Sequence, residues 1–206
     1  MQTLSTSLAS HPRFPLSHIQ GATTDSVATE QLQQRAARQV ALTAEQLQAH
    51  IEAHHCFLGS GGAGGRWQIV VVKQVSVGIY LGASARAGAQ AILDGQHLTP
   101  ESLADADGLQ LPFMSGCALY APDVELQGCD MSYSLLIDAH LRAADFERAE
   151  LAHTDFSRAD LREVSFVGAN LRYCDFENCD LRGADFRGAL LEGSRFPGAQ
   201  LVGAKQ

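Results

Sequence analysis

Three side chains near the end of a predicted helix have the types and spacing of metal ligands. His50 and His54 are one helical turn apart, and Cys56 follows them. Zinc proteases use the order H-E-x-x-H on a helix, but here Glu52 stands one place too late. Histidines near a helix C-terminus are also favoured by the helix dipole. We therefore interpret these residues as structural, and we predict neither a metal nor a cofactor.

A glycine-rich segment after this helix contains the spacing G-x-G-x-x-G, over Gly59–Gly64. In a dinucleotide-binding fold this spacing follows a strand and opens a helix. Here the order is reversed, because a helix precedes the segment and the strand-like residues Trp67–Val72 follow it. We interpret it as a link. The chain also has no G-x-S-x-G motif and no nucleophile with a recognisable base, so we predict no catalytic residue and no enzyme activity.

Sixteen consecutive five-residue windows fill residues 124–203 without an insertion. The centre of each window is Leu, Phe or Met, and the residue two places earlier is always Ala, Cys, Ser, Val or Thr. A period of five fits neither a helix nor a plain strand, but it fits a chain that turns a corner every five residues. The large centre and the small residue then both point inward, and stacked coils share one core. Two weaker windows, Pro112–Gly116 and Cys117–Ala121, precede the clear ones.

This pattern resembles that of the pentapeptide-repeat family. The resemblance implies a β-solenoid, namely a right-handed quadrilateral β-helix with four windows per coil and therefore about four coils. It also implies a bacterial, non-enzymatic scaffold for protein–protein interaction. The stretch His54–Gly62 resembles a helical lead-in that caps the first coil in many bacterial members.

Leu and Phe alternate strictly at the centres from Leu141 onward. With four windows per coil, every second Phe stacks on the same face, so two aromatic ladders meet across the core and fix its register. The predicted core residues are Phe146, Phe156, Phe166, Phe176, Phe186, Phe196, Leu141, Leu151, Leu161, Leu171, Leu181 and Leu191.

Four of the five cysteines fall at the small inward position: Cys129, Cys174 and Cys179 in clear windows, and Cys117 in a weaker one. Their sulfur could serve a metal or redox site. However, free cysteine is among the most buried residue types, and the spacing is not that of a C-x-x-C motif. We interpret them as small core side chains.

Two outward stripes are candidates for binding a partner. The first holds Arg142, Arg162 and Arg182. Each comes directly after a central Leu, and the residue directly before that Leu is His140, Asp160 or Asp180 respectively. It is either a compensated salt-bridge ladder or a docking stripe for an acidic partner. The second holds Tyr133, His153 and Tyr173, one coil apart, which either form a binding patch or pack on the backbone.

Three regions are predicted: a disordered polar tail at residues 1–28, an α+β cap at 29–116, and the repeats at 117–206. Within the cap, helix is predicted over 29–58 in two pieces, the second starting with a Thr43–Gln46 capping box and carrying the apolar stripe Leu47, Ile51, His54 and Leu58. Strands are predicted at Trp67–Val72 and Val75–Leu81, a short helix at Ala85–Leu93, and another helix starting at Thr99.

The chain carries a formal net charge of −8, which argues against direct nucleic-acid binding. It has no apolar run of the ~18 residues that cross a membrane, and no secretory signal. Its cysteine content does not suggest a disulfide framework, so a reducing cytoplasm is the expected location.

Three functions remain open. A scaffold for a protein partner is favoured. An acidic DNA mimic that binds a type II topoisomerase is the first alternative, because residues 117–206 carry 15 acidic and 9 basic residues; the small number of clear coils and the lack of a C-terminal dimerisation helix speak against it. A secreted effector with an N-terminal leader is the second. We also expect the uncovered C-terminal coil to form a homodimer or to bind a partner.

Overall fold

The computed structural model describes residue 38, residues 40–60, the backbone of 67–72 and 75–80, and residues 90–104 and 109–206. The tail predicted at 1–28, the first helical piece, the glycine-rich segment at 61–66 and most of the helix predicted at 85–93 lie outside these residues. The described order is helix α1 (Ala44–Gly59), strands β1 (Trp67–Val72) and β2 (Val75–Tyr80), a 3₁₀ helix (Pro100–Leu103) and then a long series of turns and isolated bridges.

Helix α1 begins at the predicted capping box. The Thr43 side chain accepts a hydrogen bond from the Gln46 N–H at 3.2 Å, and the Gln46 side chain accepts one from the Thr43 N–H at 2.9 Å. Leu47 and Ile51 lie in the same buried cluster as the first coil residues Leu93 and Leu98. The apolar face of the helix therefore packs on the solenoid. No helix among the described residues is long and apolar enough to cross a membrane.

Strands β1 and β2 form an antiparallel hairpin, with Trp67 opposite Tyr80 and Val72 opposite Val75. Both strands were predicted from the sequence, and the last residue of the second prediction, Leu81, lies outside the described residues.

The repeats form a solenoid. Parallel bridges join each bridging residue to the one 20 positions later, from Gln110↔Asp130 to Asp185↔Lys205. Every fifth residue from Phe113 to Gly203 has a positive φ and forms a corner. A coil therefore takes 20 residues and has four bridges and four corners, and the backbone hydrogen bonds run between successive coils.

The solenoid starts earlier than the boundary predicted at residues 116 and 117. The regular register already holds at Gln110, and Ile92 and His97 form bridges to residues 23 positions later. Residues 90–93 are therefore not the end of a helix, because they belong to an irregular first coil. The 3₁₀ helix, with the predicted cap at Thr99, is inserted between this coil and the regular register.

A reversal of side-chain sizes explains why the sequence hides this first coil. Met114 and Leu119 lie where later coils have a small residue, whereas Gly116 and Ala121 lie at the centres. A Cβ on Gly116 would lie 2.9 Å from Met114 Cε, so the methionine fills the space that a large centre normally fills. The predicted windows at 112–121 are thus two residues out of phase. Cys117 consequently lies half-buried outside the coil, not at an inward position.

The core contains the two expected aromatic ladders. Ring centroids in one ladder lie 5.6 Å (Phe146 to Phe166) and 5.4 Å (Phe166 to Phe186) apart. Those in the other lie 5.2 and 4.8 Å apart, and rings of opposite ladders meet edge to face. Every predicted core residue is buried except Leu191 and Phe196, which are partly exposed because they lie in the last coil.

Candidate interaction surface

Acidic and amide residues recur at the bridging position because the coil leaves one backbone group to satisfy. The N–H of the residue after each centre donates to no backbone acceptor among the described residues. Where an Asp or Asn stands two places earlier, its side chain accepts this N–H, as Asp145 does from the Glu147 N–H at 2.9 Å and Asp155 from the Ser157 N–H at 2.9 Å. Much of the acidic character of the shaft is therefore structural.

Two of the three predicted arginines neutralise these acids. Arg162 donates two hydrogen bonds to Asp160, at 2.7 and 2.6 Å, and Arg182 does the same to Asp180, at 2.8 and 2.6 Å. Burial alone would raise the pKa of Asp160, but the hydrogen bonds from Arg162 and the nearby His140 ring outweigh it and hold that pKa below its usual range. These pairs form a compensated ladder along one face.

Arg142 belongs to the same face but has a different partner. The position that holds Asp in later coils holds His140 here, so Arg142 donates to Glu163 of the next coil at 2.9 Å. Both side chains of this pair are about half exposed, at 46% and 58%. All three arginines are thus brought together on one face, and each already has an acidic partner, which leaves little unpaired positive charge for docking.

The second predicted stripe is a continuous column of stacked rings at one corner of the solenoid. Tyr133, His153 and Tyr173 stack with centroids 4.5 and 4.9 Å apart. The column begins one coil earlier, at Phe113, 4.9 Å from Tyr133. Sequence reasoning missed Phe113 because its window was assigned the wrong phase. Phe113 is buried against Phe57 of α1.

The column ends over a glycine. Gly193 occupies the next corner with a φ of +73°, and a Cβ there would lie 2.3 Å from Tyr173 Cδ1. The Tyr173 ring therefore lies on the backbone of the last coil and remains 38% exposed. Burial raises the pKa of Tyr133, so its phenol stays protonated and can both donate and accept hydrogen bonds. Among these rings the exposed fraction increases from Phe113 to Tyr173.

A second aromatic column lies on the arginine face and was not predicted. His97 meets Tyr120 edge to face at 5.0 Å, and Tyr120 stacks in parallel with His140 at 4.7 Å. His140 Nδ1 lies 3.0 Å from an Asp160 carboxylate oxygen, out of line for a good hydrogen bond. A shallow groove of about 380 Å³ opens beside Tyr120, His140 and Arg142. Tyr120 escaped notice because it lies before the clear repeats.

The cysteines of the clear windows are core side chains. The Cys174 and Cys179 thiols donate to the carbonyls of Leu151 and Phe156, at 3.0 and 2.8 Å. Burial raises the pKa of Cys129 to about 12 and also raises those of Cys174 and Cys179, so these thiols stay protonated and unreactive. The inward position of Cys174 holds a hydrogen-bonding residue in each of four successive coils. These residues, each of which donates to a carbonyl 23 residues earlier, are Ser134, Thr154, Cys174 and Ser194.

The candidate metal ligands of α1 are not brought together. His54 is buried against the coil, and both of its ring nitrogens are hydrogen-bonded to backbone groups. Cys56, in contrast, is exposed. Within the part of the chain that the structure describes, no three His, Cys, Asp or Glu side chains are grouped as a metal site would need.

Comparisons with known proteins give a consistent result. Residues 144–205 match the family model described as a pentapeptide repeat region. Similar solved structures include the pentapeptide repeat protein Rfr23 from the cyanobacterium Cyanothece, which is 27% identical with a TM-score of 0.41, over 42% of this chain and 58% of that one. A pentapeptide repeat protein from the Arabidopsis thaliana thylakoid lumen is 26% identical with a TM-score of 0.46, over 47% and 68%. QnrB1, a plasmid-mediated fluoroquinolone resistance protein, is 20% identical with a TM-score of 0.39, over 55% and 70%. No curated protein matches the chain significantly.

Proposed function

We propose that this chain, which belongs to the pentapeptide-repeat family through residues 144–205, is a non-enzymatic scaffold for protein–protein interaction. We further propose that its coils wind as a right-handed quadrilateral β-helix and that the α+β region before them caps the N-terminal end. The packing of Leu47 and Ile51 into the coil core supports the cap. A core filled by Leu and Phe leaves no interior space for a substrate, so function is expected on the outer faces.

The observation that carries this proposal is the aromatic column at one corner. Exposed aromatic side chains are enriched in protein interfaces, where they bury a large area at a small cost in conformational entropy. The rings of Tyr133, His153 and Tyr173 are held by stacking, so a partner would meet a preorganised surface. The paired arginines on another face contribute less, because their charges are already compensated.

Replacement of Tyr173 by Ala should reduce the capture of specific partners at least ten-fold, a loss typical of an interface hot spot. The measurement is affinity capture from a lysate of the source cells with quantitative mass spectrometry, followed by direct titration of each purified candidate. Asn178→Ala is the matched control, because Asn178 is an exposed corner residue of the same coil with a similar φ of +57°. It should retain the partners.

A second pair of variants tests whether the position of the Tyr173 ring matters when the ring itself is kept. Gly193→Ala keeps Tyr173 but must displace its ring, whereas Gly203→Ala carries the same backbone strain with only ordinary contacts at 3.8 Å or more. Gly193→Ala should weaken capture, and Gly203→Ala should not. Equal capture by every variant would show that partners bind elsewhere. If none of the captured proteins bound the chain once purified, the scaffold role would be contradicted.

A second copy of the chain is the partner that we propose for the C-terminal coil. Leu201 and Val202 are adjacent apolar side chains that are exposed by 40% and 79%, and a contiguous exposed apolar patch can mark a protein contact. Replacing both by Lys should leave the circular dichroism spectrum unchanged and shift the mass measured by light scattering from dimer towards monomer. A wild-type protein that is monomeric at high concentration would exclude this contact.

The charges do not favour the DNA-mimic alternative. A mimic of DNA presents bare negative charge in rows. Here Asp160 and Asp180 are neutralised by arginines two residues later, and so is Asp185 by Arg187. The leader needed by a secreted effector lies outside the described residues. We propose a cytoplasmic location, supported by the absence of disulfides among the five cysteines, all of which are described.

A further inference from the structure

His54 is the one ionisable side chain on the buried face of α1, and it is completely buried between that helix and the first coils. The Ala91 N–H donates to His54 Nδ1 at 3.0 Å, which fixes Nδ1 as the unprotonated nitrogen. Nε2 therefore carries the proton and donates to the Pro112 carbonyl at 2.7 Å. The neutral ring thus satisfies two backbone groups of the coil at once.

Among the residues that the structure describes, no charge compensates a proton on the His54 ring. The coil segments packed against it, residues 90–93 and 109–114, contain no ionisable side chain. On α1 itself the ionisable neighbours are His50, Glu52, His55 and Cys56, and of these the exposed His55 disfavours a second positive charge. Burial lowers the pKa of His54 to about 4, although the hydrogen bond to Pro112 opposes the shift.

Protonation would put two hydrogen-bond donors face to face. A proton on Nδ1 would point at the Ala91 N–H, which would then lose its acceptor inside a buried contact. Leu42 links this region to the coil through groups that do not titrate, because its N–H donates to the His97 carbonyl and its carbonyl accepts from the Ser102 hydroxyl. The coil interior around Phe146 and Phe166 contains no ionisable group that would respond in the same way.

We propose that His54 makes the docking of α1 on the solenoid acid-sensitive, so that mild acid releases the helix and uncovers the apolar surface beneath it. That surface is the outer cluster of Phe113, Leu135 and Ile137, which Phe57 of α1 covers in the docked state. The repeats stay folded when the helix leaves, because their hydrogen bonds run from coil to coil.

The sign of the pH dependence follows from the lowered pKa. The released helix takes up a proton on His54 near the ordinary value of 6.5, whereas the docked helix resists until about 4. Docking is therefore fully favourable above 6.5 and weakens as the pH falls towards 4. Between pH 7.5 and 4.5 the docking equilibrium should weaken on the order of 50- to 100-fold. The carboxylates of Asp160, Asp180 and Asp185 have lowered pKa values, so they remain ionised over this range and their pairs with arginine persist.

Hydrogen exchange read by mass spectrometry tests this on the full chain. Exchange of residues 44–59, corrected for the intrinsic effect of pH, should accelerate at least ten-fold between pH 7.5 and 4.5, while that of residues 141–186 stays unchanged. His54→Gln, which cannot titrate, should remove the pH response of α1. His50→Gln, a half-buried histidine one turn away on the same helix, should keep it.

The proposal is overturned if α1 and the coils lose protection together, or if His54→Gln responds to acid as the wild type does. If that variant fails to fold, the wild-type His54 ring is followed by nuclear magnetic resonance instead. Its titration must lie well below the ordinary histidine value of 6.5 and coincide with the opening of α1. A His54 ring that titrates near 6.5 while α1 stays protected would equally exclude the switch.

Discussion

Phe166→Ala is expected to lower the free energy of unfolding by about 3–5 kcal/mol. Phe166 is completely buried in the middle of its ladder, with the next ring centroids of that ladder 5.6 and 5.4 Å away. Phe156 and Phe176 of the other ladder meet it edge to face, with centroids 5.9 and 6.0 Å away. The coils above and below are fixed by backbone hydrogen bonds every few residues, so they cannot collapse into the cavity. Urea denaturation followed by circular dichroism measures the loss.

Phe196→Ala is the matched control for this effect. Phe196 stacks on Phe176 at 4.8 Å, but it lies in the last coil and is only partly buried. Its removal leaves a notch that solvent can fill, so the loss should be less than half that of Phe166→Ala. Equal losses at the two positions would mean that the ladder does not depend on enclosure, contrary to the packing described above.

The ladders could be predicted from the sequence because the relevant pattern is local and strict. Once five residues make one side of a four-sided coil, alternation of Leu and Phe leaves one stacking arrangement, with Phe146 and Phe166 on the same face. Helix α1 was equally accessible, because a capping box and an apolar stripe are short-range signals. The predicted pairing of the arginine stripe with acids was also within reach, since those side chains are two residues apart.

The first coil could not be predicted, because its pattern is defined by volume and not by residue type. A rule that asks for a large centre and a small predecessor rejects Gly116 with Met114, although the two together fill the same space. The error then spread to the functional side chains: Phe113 was left out of the aromatic column, and Tyr120 was not considered. The partner of Arg142 was also missed, because His140 stands where later coils have an Asp. Arg142 therefore pairs with Glu163 of the next coil.

Ala169→Leu should lower the free energy of unfolding by about 2–3 kcal/mol, because added methylene groups in a filled core force neighbouring side chains out of their rotamers. Ala169 is completely buried at the small inward position, and its N–H donates to the Phe166 carbonyl at 3.0 Å. The same substitution at Ala152, which is half-buried on the outside of the coil, should cost less than about 0.5 kcal/mol. Similar losses at both positions would contradict the idea that interior volume imposes the small residue.

The size reversal of the first coil supplies a stricter test of the same idea. Leu171→Ala alone should cost about 2–5 kcal/mol by opening a cavity at a buried centre. Combined with Ala169→Leu, it reproduces the arrangement of Leu119 and Ala121, in which the large side chain comes two places before the small centre. The double variant should therefore be more stable than the sum of the single losses predicts, by about 2 kcal/mol in a double-mutant cycle followed by urea denaturation. Strict additivity would show that the two positions do not share one space, and that the first coil is stabilised by its contacts with α1 and not by an exchange of volume.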